Sequence, residues 1–378
     1  MRSLTTSALQ LLAAGHVVTA YPGMGRLLAD LQKMQRHESQ LGARAPAGFL
    51  GSTTILGDLA NLPDSALTPV GANIKAVLSG NGGQPLGDGI PEYDAPGPLG
   101  SDACTADACC VHKYAMLDMY SLFSDPASGG CSPLARGAIR LGFHDAAAWD
   151  TGAGYGGGGA DGSIVLSPAE LARPVNAGLQ AIANQTWAWY ERYHQHGASM
   201  ADLIQLGAMT AVTACPGGPR MRFYVGRADN TNAAPDNMLP DPTSGADTIA
   251  ALFAAKTISP GGLAALIGAH TVSQQFSMAP AQAGAGQDPT PGVWDNLYYS
   301  TTLAATAPAG VYRFPSDVAL AQSAGAASSF QFFGTQAGRS TWQTAFASEY
   351  LRMSLLGVYN INSMTDCTHV LPQSTFQG

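Results

Sequence analysis

The sequence predicts a mainly α-helical fold, and three observations carry that expectation. Apolar residues recur at helical spacing over a succession of stretches, among them 133–146, 179–193, 200–214 and 263–271. Two of these stretches open on a serine followed by proline, Ser132-Pro133 and Ser259-Pro260, a capping hydroxyl and then the residue best suited to the first helical turn. Against them stands one short segment, Arg222-Phe223-Tyr224-Val225-Gly226-Arg227, that reads as strand or loop.

In chain order, residues 1–20 read as a secretory signal: Arg2, an apolar run from Ala8 to Ala14 continuing to Val18, and Val18-Thr19-Ala20 as a small-residue cleavage site. The run is too short to span a bilayer, and none longer follows. Residues 21–99 hold one short amphipathic pattern (Leu27, Leu28, Leu31, Met34) and are otherwise rich in Gly, Pro, Ala and Ser; they read as a propeptide or flexible extension with little core of its own. Residues 100–372 read as one globular domain, with 373–378 a short tail. At 378 residues and 46% hydrophobic content the chain can bury a full core. With 12% charged residues and a net charge of -8, it offers no basic surface for nucleic acid or anionic membrane. Secretion makes the six cysteines candidates for three disulfides, with fifteen pairings open. Asn184-Gln185-Thr186 is a glycosylation sequon.

The chemistry concentrates in Arg140-Leu141-Gly142-Phe143-His144-Asp145. On a helix Arg140, Phe143 and His144 fall at i, i+3 and i+4 and share one side. A Gly-rich loop, Gly152 to Ser163, follows; its formal GxGxxG lacks the preceding strand and following helix of a dinucleotide site. Delivering Asp161 and Ser163 beside Asp145 suits a hard cation with six to eight oxygen ligands, and calcium is the expected ion. His270 sits on a second apolar helix, Leu263 to Thr271, among Gly and Ala that leave room for something flat and large. Asp288-Pro-Thr290-Pro-Gly-Val293-Trp-Asp295 repeats the oxygen-rich pattern, and Asp317 stands in an apolar segment where an imidazole N–H is a natural partner.

Together these motifs resemble the plant, fungal and bacterial haem peroxidase superfamily, most closely the secreted fungal class II peroxidases. The likeness spans Cys104 to Pro372 and rests on Arg140 to Asp145, Gly158-Gly-Ala-Asp161-Gly-Ser163, Gly268-Ala-His270-Thr271 and Asp288 to Asp295, in the family's order and at about its spacing. The resemblance implies two helical halves with haem b between them. It makes His144 and Arg140 the distal histidine and arginine, Phe143 a ring packed over the haem, His270 the iron ligand and Asp317 the acceptor of its other N–H. Asn176 would hydrogen-bond His144, with Glu170 a supporting carboxylate. Two calcium ions would be held, one by Asp145, Gly159, Asp161 and Ser163, the other by Thr271, Asp288, Thr290, Val293 through its carbonyl, and Asp295. The family's disulfides would pair Cys131 with Cys215, Cys109 with Cys367 and Cys104 with Cys110. The activity implied is extracellular reduction of hydrogen peroxide with one-electron oxidation of small phenolic or aromatic donors, by a monomer.

Departures narrow this. Manganese-oxidising members carry two glutamates and an aspartate where Pro133, Gly137 and Phe276 stand here, and lignin-type members carry a surface tryptophan where Ala265 stands. A further C-terminal disulfide of class II has no cysteines here. Two other readings remain: a secreted haem- or calcium-binding protein without catalysis, and a relative of cytochrome c or ascorbate peroxidase, which usually carries tryptophan at the position of Phe143.

Overall fold

A computed structural model describes residue 51 and residues 53–375. The signal segment 1–20, its cleavage site and the first part of the extension, with its amphipathic pattern, lie outside the described residues.

Among the described residues, the helices of seven or more residues are α1 (Pro69–Leu78), α2 (Cys110–Phe123), α3 (Pro133–Ala146), α4 (Gln180–Tyr193), α5 (Met200–Ala214), α6 (Ala246–Ala255), α7 (Pro260–Leu266), α8 (Leu297–Leu303), α9 (Pro315–Gln322), α10 (Ala327–Phe333) and α11 (Gly338–Met353). Serine caps decide several starts: Ser132 Oγ accepts from Ala135 N, Ser199 Oγ from Asp202 N and Ser259 Oγ from Gly262 N. Helices α1, α6, α8, α9 and α10 were not anticipated in the sequence. The segment read as strand or loop is in part strand: Tyr224–Val225 pairs antiparallel with Thr365–Asp366. A second two-residue pair joins Ser124–Asp125 to Gly130–Cys131, so the described residues are mainly α with two minimal sheets.

Helices α2, α3 and α4 pack around α5, every residue of which is buried. A helix that is largely apolar and buried on every side belongs at the centre of a bundle. Its buried Asp202 pairs with Arg227 at 2.8 Å, and Arg227 also donates to Ser354 O. Helices α6 to α11 form the other half, with α7 laid along α11.

Each histidine motif carries glycine two residues before the histidine, and each glycine marks a close approach. A Cβ on Gly142 would stand 2.6 Å from Ala208 Cβ and 2.6 Å from Tyr350 Oη; one on Gly268 would run into Tyr299 Oη and stand 2.5 Å from Trp342 Nε1. The small residue lets each histidine-bearing turn seat against the core. The second turn is not wholly α-helical as expected. After Leu266 it tightens into a 3₁₀ turn, Ile267–Val272, that carries His270.

The expectation of a flexible extension over 21–99 is corrected for its second half. Leu56, Leu59, Ile74 and Leu78 are buried, and Arg352 on α11 donates to Thr54 O and Leu78 O at 2.7 and 2.6 Å. Arg220 donates to Gly87 O and Ile90 O in the same manner. The segment has few large side chains, but it shares the core of residues 100–372 and is held by cations reaching its carbonyls. That supply of partners from distant residues is invisible in local composition.

Three disulfides join Cys104 to Cys110, Cys109 to Cys367 and Cys131 to Cys215, the pairing the resemblance implied.

Glu349 on α11 lies buried against Gly262 at the start of α7, with Arg352 Nε 3.8 Å away. Burial, only partly offset by Arg352, pushes its carboxyl up to about 7 from 4.5. The folded chain therefore keeps a proton that the unfolded chain has lost, so this group favours the fold below about pH 4.5 and loses that contribution as pH rises through about 7, a span of about 3 kcal/mol. Glu349→Gln is expected to raise the denaturation midpoint above wild type at pH 8, with the gain shrinking towards pH 5; an equal gain at both would contradict this account.

Candidate active site

Helix α3 presents Arg140, Phe143 and His144 to one side, as its spacing requires. His144 is buried, at 7% exposure, with Nδ1 2.8 Å from Asn176 Oδ1. Asn176 Nδ2 donates to Glu170 O at 2.8 Å, which fixes the amide so that its oxygen faces the imidazole. His144 thus carries its proton on Nδ1 and keeps Nε2 as an acceptor, 3.2 Å from Arg140 Nε. Burial, with the charge of Arg140 beside it, pushes His144 down to about 3, against the opposing pull of Asn176. The ring is a neutral base at any ordinary pH. It is the backbone carbonyl of Glu170 that serves Asn176; the carboxylate instead accepts from Ala234 N at 2.6 Å.

Arg140 is pinned by Ala177 O and Val175 O at 2.8 and 3.1 Å, yet remains exposed and has no carboxylate partner among the described residues. A cation held rigid and uncompensated is prepared for a negative charge that arrives later. Phe143 is edge-on to His144 and lies parallel to Phe253 of α6 at 6.2 Å. Phe253 was missed because its partner is over a hundred residues away in sequence.

In the other half, His270 Nδ1 stands 2.7 Å from Asp317 Oδ2. Its Nε2 makes no hydrogen bond to the described residues, and the side chain is 34% exposed. An imidazole whose one nitrogen is tied to a carboxylate and whose other is free is a metal ligand in waiting, and this donor set fits haem iron. Tyr298 Oη also reaches Asp317 Oδ2, at 2.9 Å, a partner the sequence did not reveal.

The two oxygen-rich loops assemble next to these histidines. Asp145 is fully buried; its Oδ2 accepts from Gly162 N at 3.2 Å and its Oδ1 has no hydrogen-bond partner among the described residues. Burial, then the charges of Asp161 and Glu170, push its carboxyl well up. Asp161 accepts from Gly158 N and Ser163 N, and Gly159, at φ +95°, approaches Leu356 O where no Cβ would fit. An orphaned carboxylate oxygen among further carboxylates fits a cation. In the second loop Thr271 Oγ1 lies 2.5 Å from Asp288 Oδ2 and 3.3 Å from Asp295 Oδ1, while Thr290 Oγ1 lies 3.2 Å from Asp288 Oδ1 and 2.9 Å from Asp295 Oδ2. Asp288 is pushed up to about 6 by burial, against the hydrogen bonds it accepts. Val293 N closes this loop on Thr290 O at 3.0 Å.

Of the positions that narrow the substrate, Pro133 begins α3, Ala265 is buried, and Phe276 is 68% exposed. Trp149 and Trp189 are buried and Trp187 is exposed.

The family model for peroxidase matches residues 119–336, a span that holds both histidines, both loops and Asp317. The chain belongs to the peroxidase family. It is 30% identical to a peroxidase of Arthromyces ramosus over 80% of this chain and 86% of that protein. A peroxidase of Coprinopsis cinerea is 30% identical over 74% of this chain and 82% of its own length, and ligninase LG6 of Phanerodontia chrysosporium is 31% identical over 82% and 86%. The chain is accordingly a haem peroxidase, an oxidoreductase of the fungal class II kind that its motifs resemble.

Proposed function

We propose that this peroxidase is secreted, acts as a monomer stabilised by two calcium ions, and oxidises small phenols or aromatic amines by one-electron steps while reducing hydrogen peroxide to water. The observation that carries the catalytic reading is the His144 constellation: a neutral imidazole with its tautomer set by Asn176 and its lone pair beside a pinned guanidinium. His144 Nε2 takes the proton from one oxygen of hydrogen peroxide and returns it to the other as the O–O bond breaks. Arg140 stabilises the negative charge on the departing oxygen, and Phe143 with Phe253 keeps water from that side. His270 Nε2 would hold haem, and the bound group would supply the two-electron chemistry of the cleavage and its one-electron recovery from two donor molecules. Asp317 fixes the tautomer and orientation of His270.

Asp145, Gly159, Asp161 and Ser163 would hold one calcium and Thr271, Asp288, Thr290, Val293 and Asp295 the other. Each site includes the residue directly after a histidine, so each ion braces one histidine turn. Chelation with EGTA is expected to lower Tm by roughly 5–10 °C, from the loss of about 3 kcal/mol of linked binding energy, and to slow turnover. Unchanged melting in excess chelator would remove both ions from the account.

Pro133, Gly137 and Phe276 provide no carboxylate for a divalent metal, and buried Ala265 offers no surface relay. Steady-state assays with guaiacol and with manganese(II) test this directly. Rapid guaiacol oxidation at two molecules per peroxide, with no manganese oxidation, is expected, and saturable manganese turnover would overturn the substrate reading. Phe143, where cytochrome c and ascorbate peroxidases usually have tryptophan, disfavours that relationship.

A further inference from the structure

Asp317 Oδ2 is a shared acceptor. His270 Nδ1 lies 2.7 Å from it and Tyr298 Oη 2.9 Å, whereas Oδ1, among the described residues, receives only the longer contact from Ser316 Oγ, at 3.2 Å. Tyr298, on α8, is wholly buried, and its ring stands edge-on to the imidazole, 5.7 Å between centroids and 88° between planes. The neighbouring Tyr299 goes elsewhere: its hydroxyl donates to Ala264 O, in the helix that leads to His270. A buried phenol needs some acceptor, but a backbone carbonyl would serve as well as this one. The choice of the same carboxylate oxygen that holds the histidine is what carries meaning.

We propose that Tyr298 is a positioning residue that sets how strongly Asp317 draws on the His270 N–H, and through it how strongly His270 donates to haem iron. This rests on the haem peroxidase reading above. A carboxylate oxygen accepting two short hydrogen bonds divides its negative charge between them, so each donor feels a weaker pull than it would alone. With the phenol in place His270 keeps more neutral-imidazole character, and iron is held at a higher reduction potential than Asp317 alone would set. Hydrogen bonding to an axial ligand is one of the protein's main levers on that potential. The two donors converging on one oxygen also fix the plane of the carboxylate and, with it, the ring of His270.

Tyr298→Phe removes one hydroxyl and leaves the ring. In the purified holoenzyme, the midpoint potential by spectroelectrochemistry and the ferrous iron–histidine stretch by resonance Raman are both to be measured beside the melting temperature. The expected result is a more negative potential, seen as a several-fold larger ferric-to-ferrous ratio at a fixed poise, with the stretch moved to higher frequency. In an Asp317→Asn background the same substitution is expected to move neither. Unchanged potential and stretch in Tyr298→Phe with haem bound would overturn the proposal, as would an equal shift in the Asp317→Asn background. A wild-type protein that binds no haem would instead sink the haem reading and is recognised by its lack of a Soret band. Should Tyr298→Phe not fold, 3,5-difluorotyrosine placed at position 298, a stronger donor, must shift both readouts the opposite way, and no shift there overturns the proposal.

Discussion

His144→Leu is expected to slow the reaction with hydrogen peroxide by about 10²–10⁴-fold, the range that positioned proton transfer supplies. The reason lies in the pairing around the ring. Peroxide must lose a proton from one oxygen and gain one on the other, and a single neutral imidazole can do both only if its free nitrogen faces the substrate. Asn176, itself fixed by Glu170 O, assigns that nitrogen as Nε2. Leucine fills the space without the proton chemistry, so haem content and melting should stay near wild type while the peroxide step collapses. Asn176→Leu should give a smaller loss, because it frees the tautomer without removing the base. The pH dependence follows from the same geometry. His144 is held at about 3, so the peroxide rate should stay level as pH falls from 7 to about 4, where an ordinary histidine would have lost its basic form near 6.5. Stopped-flow rates over that range check this; a decline centred near pH 6 would contradict it.

The second large effect is on stability. The Cys109–Cys367 bond spans 258 residues and ties the start of α2 to the residue just after the strand that pairs with Tyr224–Val225. Loop-closure entropy assigns such a span about 5 kcal/mol, against about 2 kcal/mol for the six-residue Cys104–Cys110 loop. The double variant Cys109→Ser with Cys367→Ser should therefore lose far more in guanidinium midpoint than Cys104→Ser with Cys110→Ser. Cys131–Cys215, which spans 84 residues and joins the start of α3 to the end of α5, should fall between. Equal losses for all three would show that native-state strain or residual unfolded structure dominates instead.

What was legible in the sequence was what lies close together along it. Arg140, Phe143 and His144 share a helix, Thr271 follows His270, and Asp288 to Asp295 is one loop, so helical spacing and oxygen-ligand chemistry suffice to group them. Asp317 was legible as a carboxylate wanting an imidazole partner, but its pairing with His270 and the whole role of Asn176 came with the family resemblance, since no local pattern joins them to a histidine 47 or 32 residues away. Phe253 and Tyr298 were not found at all. Each is an ordinary core aromatic in its own helix, and its meaning comes only from the ring or carboxylate it meets. Residues 53–99 were misread for a related reason. Their carbonyls are held by Arg220 and Arg352, and buried arginines serving backbone oxygens leave no mark on the composition of the segment they hold.

His144 and His270 are read as serving one haem at which hydrogen peroxide is cleaved. The visible spectrum of the purified protein, recorded before and just after one equivalent of hydrogen peroxide and again after adding a phenol, tests this most directly. The expected result is a Soret band that shifts with peroxide and returns with the phenol, and whose shift is abolished or greatly slowed in His144→Leu. A Soret band that ignores peroxide in the wild type would contradict the role given to His144 and Arg140, and the absence of any Soret band would contradict the role given to His270.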